Sequence, residues 1–145
     1  MNKIRYGLVL PWLLWALPAT ADSQSRAALR AERARVNVIE RINVEIHQQL
    51  RSARKDGRTI PTRCLNDMLN QAGSTRRLAR AQLATLDRTL TLQASASAEA
   101  APVFAHRRKL GAHTLFLLEQ HAQSLKTQAS NCAQRGTWMT VRKLK

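Results

Sequence analysis

The chain has 145 residues, and 24 Lys and Arg outweigh 9 Asp and Glu to give a formal net charge of +15. That length is one domain's worth. The aromatic content of 4% disfavours a protein that holds single-stranded nucleic acid by base stacking, and two cysteines cannot build a four-ligand zinc site without histidines close by.

Residues 1–21 have the three-part layout of a secretory signal. Lys3 and Arg5 precede the apolar run "GLVLPWLLWAL", and Ala19-Thr20-Ala21 is the small-x-small pattern that signal peptidase accepts. The run is shorter than the ~20 residues of a membrane span. Cleavage is expected before Asp22, with an uncleaved signal anchor as the alternative. The mature chain then loses two cations and no acid, which leaves it at +13. An exported protein, periplasmic in a Gram-negative bacterium, is the expected setting.

Residues 25–56 read as one long helix. Leu29, Val36, Ile39, Ile46, Leu50 and Ala53 recur at three- and four-residue steps in a heptad seam, with Asn43 as its polar member and Glu32 as a misfit. Gly57 is placed to stop that helix, and Pro61 to open the next. The second helical pattern carries Leu65, Met68, Leu69 and Ala72, meets an expected kink or turn at "AGST" (72–75), and resumes with Ala79, Leu83, Leu86 and Leu90. Residues 93–102, "QASASAEAAP", read as a turn. A last helix runs from Pro102 to about Gln134, with Phe104, Leu115, Leu118, Ala122, Leu125, Ala129 and Cys132 on one stripe. Gly136 is expected to end it and 137–145 to be a short basic tail. Period-two alternation is absent, so no strand is expected. The fold class is all-α: an elongated antiparallel three-helix bundle over 22–136, one long helix against a helical hairpin.

Folding the chain back at residue 98 puts Cys64 and Cys132 at equal distances from the turn. In an oxidising compartment an even cysteine pair favours a structural disulfide. A Cys-x-x-Cys redox motif is absent, and no histidine is placed to activate a nucleophilic thiol. His106, His113 and His121 share the last helix, yet no two have the i, i+4 spacing that grips a metal. Phosphate-loop, nucleophile-elbow and zinc-protease motifs are missing, and the carboxylates are scattered. No enzyme, cofactor, metal or small-molecule substrate is expected.

The strongest signal is arginine, eighteen against six lysines. Guanidinium forks suit carboxylates and phosphates. Arg26, Arg30 and Arg33 share a face of the first helix that Arg51, Arg54 and Arg58 extend. Arg76, Arg77 and Arg80 form a second group, and Arg107, Arg108 and Lys109 a third. These are the expected anion-binding residues. The functional expectation is a non-enzymatic periplasmic interaction or structural protein, such as a small component of a secretion, conjugation or appendage machine, meeting an acidic protein partner in the envelope. The alternatives are an electrostatic binder of anionic polymers or membrane surfaces (lipid headgroups, lipopolysaccharide, DNA) and a periplasmic chaperone or inhibitor. Val38, Ile42 and Val44 widen the first seam, either to complete a three-helix core or to support a homo-oligomer through the first helix.

Overall fold

A computed structural model describes residues 19–142, with side chains from 26 to 134. The leader expected over 1–21 lies mostly outside the described residues. Three helices follow one another: α1 (Ala19–Lys55), α2 (Thr59–Ala94) and α3 (Ala101–Arg142), and each packs on the other two. Among the described residues there is no strand.

Local chemistry explains the two reversals. The Gly57 N–H donates to the Arg54 carbonyl and the Arg58 N–H to the Ala53 carbonyl, with Gly57 at φ +65°. This is a Schellman motif, whose left-handed position glycine adopts without a Cβ penalty. Pro61 lies in the first turn of α2, where its missing N–H is harmless, and its ring is buried. The second reversal occupies 95–100, as the small and polar residues there predict.

Two expected interruptions do not occur. α2 runs unbroken through "AGST". The Ser74 and Thr75 hydroxyls donate to the carbonyls of Asn70 and Gln71 four residues back, so they bond within the helix rather than compete with it. Ala72 and Thr75 are buried there, and this tertiary packing outweighs the weak propensity of Gly73. Likewise α3 does not stop at Gly136. It continues through the first part of the expected basic tail to Arg142. A lone glycine costs a helix about 1 kcal/mol, which is too little to end one by itself.

All three helices obey one heptad rhythm. The α1 seam buries Val36, Ile39, Ile46, Leu50 and Ala53, with Asn43 among them. The α2 seam steps through Leu65, Met68, Ala72, Thr75, Ala79, Gln82, Leu86 and Thr89, and the α3 seam through Phe104, Arg108, Gly111, Leu115, Leu118, Ala122, Leu125, Ala129 and Cys132. The core combines branched side chains of α1 with alanines of α2 and α3, Thr75 and Thr89 of α2, and leucines of both helices. Of the residues that widen the α1 seam, Ile42 is buried and Val38 packs on the core, whereas Val44 stays exposed. Larger exposed apolar residues lie on the other helices, among them Leu78, Leu92, Leu110 and Leu117.

Cys64 and Cys132 are joined, their Cα atoms 6.0 Å apart. The bridge closes the end of the α2–α3 hairpin opposite its turn.

Candidate functional site

Cross-helix ion pairs reveal which edge of each helix meets which neighbour. Arg33 lies 3.6 Å from Asp87, Arg80 pairs with Glu40, and Arg54 donates to Asn66. These contacts place the 66/80/87 edge of α2 against α1. Arg35 reaches Glu119 at 2.9 Å and Lys126 reaches Glu45 at 2.8 Å, which places the 119/126 edge of α3 against the other side of α1.

That frame sorts the expected anion-binding residues. Arg33 and Arg54 reach across the α1–α2 groove, helical periodicity puts Arg26 on the same edge of α1, and exposed Arg30 and Arg51 flank that edge further out. Arg76 and Arg80 enter it from α2, so two groups far apart in sequence share one strip. At 1.5 Å per residue, Arg26 to Arg54 spans ~42 Å. Arg77 turns outward and donates to Ser74. Arg58 serves the fold: it bonds the Ala133 carbonyl of α3 at 3.2 Å and pairs with Asp56 at 2.9 Å, tying the α1–α2 loop to the disulfide end. Arg107 lies on the opposite, α2-facing edge of α3, away from the strip.

The acids are largely consumed. Glu32, Glu40, Glu45, Asp56, Asp87 and Glu119 all sit in ion pairs, and only Asp67 and Glu99 of the described acids do not. Exposed Arg30, Arg41, Arg51, Arg63, Arg88 and Arg107 have no acidic partner among the described residues. The surface potential is therefore strongly positive, and most of it is uncompensated.

Arg108 and Lys109 belong to a different feature. Near the hairpin turn the seam breaks in two helices at one level: Glu32 stands at a seam position of α1, and Arg108 at one of α3. Ala28, Ala105 and Ala112 are too small to fill the layer, and a cleft of about 420 Å³ opens there. Leu29, Leu86 and Leu90 provide its apolar walls, and Arg108 and Lys109 reach it from α3. Neither cation pairs with an acid among the described residues.

Among the described residues Glu32 is the one titratable group with a clear shift. Its side chain is 15% exposed, and desolvation pushes its carboxyl above the ordinary value, with Glu119 adding to the rise and Arg35 opposing it. Arg35 Nε is 3.4 Å from Glu32 Oε2, close enough for charge attraction but not aligned for a hydrogen bond, so that buried oxygen has no hydrogen-bond donor. The Arg35 guanidinium is otherwise engaged by Glu119 and lies 5.4 Å from the centre of the Phe116 ring. The sequence reading missed this network. Its one available signal was Glu32 interrupting the heptad.

His106, His113 and His121 are exposed on α3, and His113 stacks on Phe116. No group of three metal-ligating side chains converges among the described residues. No described helix is long and apolar enough to cross a membrane. No protein-family model, curated protein or solved structure matches this chain.

Proposed function

We propose that the protein is a non-enzymatic helical interaction module of the bacterial envelope, exported to the periplasm, that docks an acidic protein partner along the α1–α2 groove. The observation that carries this reading is the strip from Arg26 to Arg54, joined by Arg76 and Arg80, on a molecule whose acids are mostly already paired. A rigid bundle holds these guanidinium groups at fixed spacing, so a partner with carboxylates along an extended or helical segment meets them without reordering the scaffold. The disulfide suits an oxidising compartment. A small component of a secretion, conjugation or appendage machine would use such a surface. The same strip supports a second reading, electrostatic binding of anionic polymers or membrane surfaces.

Charge reversal tests the groove. Binding of a fluorescein-labelled oligo-glutamate peptide is measured with Arg30→Glu plus Arg51→Glu, and with Arg88→Glu plus Arg107→Glu as a charge-matched pair off the strip. The first pair is expected to weaken binding at least about tenfold and the second much less. Equal losses would show that net charge alone is responsible. Duplex DNA and phosphatidylglycerol vesicles run in parallel: binding to these that collapses between low and high salt, with no preference for the peptide, favours the second reading. Crosslinking in the native envelope then identifies the protein that occupies the groove.

A further inference from the structure

The cleft near the hairpin turn has no part in the basic strip. It combines a volume of about 420 Å³ with walls of Leu29, Leu86 and Leu90 and three polar groups at its edge: Arg108, Lys109 and the Glu32 carboxyl. An apolar cavity with a few convergent polar groups, one of them perturbed, is the usual form of a small-molecule site. Two features argue against a mere packing defect. The seam departs from apolar residues on two helices at the same level, and both departures line the cavity. The polar exceptions elsewhere in the seams, Asn43, Thr75, Gln82 and Thr89, are uncharged, whereas Glu32 and Arg108 are ionisable. Arg108 and Lys109 also form no ion pair among the described residues, so two cations stand beside an apolar wall with Glu32 as the one carboxylate lining the cavity.

We infer that this cleft binds a single-chain anionic amphiphile, its acyl chain between Leu29, Leu86 and Leu90 and its carboxylate on Arg108 and Lys109. Volume sets the length of the ligand. At the ~30 Å³ that a water-sized heavy atom occupies, the cleft holds about fourteen such atoms, the count of a twelve-carbon fatty carboxylate. Charge sets the head group. Glu32 already has Arg35 beside it at 3.4 Å, whereas the two α3 cations have no acidic partner among the described residues, so the cleft favours an anion. The inference is independent of the α1–α2 groove and does not require it.

The test is calorimetric titration of the purified chain at neutral pH with dodecanoate, kept below its micelle-forming concentration, against dodecyltrimethylammonium. One dodecanoate per chain is expected, with half-saturation at about 1 mM or tighter, the range open to a ligand of that atom count. The cationic amphiphile is expected to bind at least about tenfold more weakly. Lys109→Gln, an exposed change that leaves the fold alone, and Arg108→Gln should each weaken dodecanoate several-fold. Ala112→Leu should fill the cleft and abolish binding while circular dichroism remains helical. Equal binding of the two amphiphiles, or dodecanoate binding untouched in Ala112→Leu and Lys109→Gln, overturns the proposal, as does no binding at all. Association with phosphatidylglycerol vesicles without uptake of free dodecanoate also overturns it and assigns the lipid contact to the basic strip.

Discussion

Replacing Cys64 and Cys132 together by alanine asks how much of this bundle's stability resides in one covalent link. The bridge spans 68 residues of sequence and joins two long helices that are otherwise connected only by the turn at 95–100. Cross-linking an interval of that length removes about 4 kcal/mol of chain entropy from the unfolded ensemble. An unfolding entropy of ~2.1 cal/mol/K per residue, over the ~120 residues of the bundle, converts that loss into a fall in Tm of roughly 15 °C. The core gives little compensation at its middle, where the α2 seam is Ala72, Thr75 and Ala79, small residues that bury little apolar surface each. Calorimetry of the oxidised protein, the reduced protein and the double variant measures the shift, and urea titration should show a larger m-value without the bridge, because the unfolded chain expands. Reduced protein and double variant should agree within a few degrees. A shift under about 4 °C, or an unchanged m-value, would refute the argument that the staple acts through the unfolded chain. Non-reducing mass spectrometry must also find the two peptides joined.

Glu32→Gln should raise Tm at pH 7. Burial holds the Glu32 carboxyl above its ordinary value of 4.5, so between that value and its folded one the native state binds more protons than the unfolded state, and stability is lost as pH rises through that window. Arg35 and Glu119 are the charged groups acting on it, and Arg108 and Lys109 line the same cleft. The advantage of the glutamine should therefore be full at neutral pH and shrink as pH falls to 4.5; thermal melts from pH 4 to 8 check it, and an advantage that grows toward acid contradicts it. The helical glycines should respond with opposite signs. Gly73 has only the Arg77 Nη1 atom, at 4.0 Å, near an added Cβ, so Gly73→Ala should stabilise by about 0.5–1 kcal/mol. At Gly111 an added Cβ would stand 2.6 Å from Leu86 Cδ2 and 2.8 Å from Gln82 Nε2, so Gly111→Val should cost about 1–3 kcal/mol through overpacking. Chemical denaturation of both variants checks the pair. Arg58→Ala should destabilise by about 1–3 kcal/mol through loss of its bonds to the Ala133 carbonyl and Asp56, and a change within a few tenths would return Arg58 to the anion-binding strip.

Much of the architecture was legible in the residues alone. Leu, Ile and Val at three- and four-residue steps announce amphipathic helices, Gly57 marks a reversal, and the symmetric placement of Cys64 and Cys132 about residue 98 announces the staple. These are local signals, because helical periodicity and turn chemistry are written within a few residues of where they act. The breaker reading of "AGST" and the stop at Gly136 failed for the same physical reason: weak propensity yields to a helix that already has neighbours to pack on.

The site was a different matter. Arginine enrichment was plain, but the strip was not, because which edge of a helix faces its neighbour depends on the pairing of Arg33 with Asp87 and of Arg80 with Glu40 across the groove. The same holds for the cleft. Glu32 alone is a misfit near a helix start, and Arg108 alone is one more cation. Only when three helices dock in register do both fall in one layer, among alanines too small to fill it. Each helix therefore carries its own apolar stripe in its sequence, whereas the relative rotation and stagger of the helices, which decide what each stripe's exceptions meet, arise only from the packed bundle.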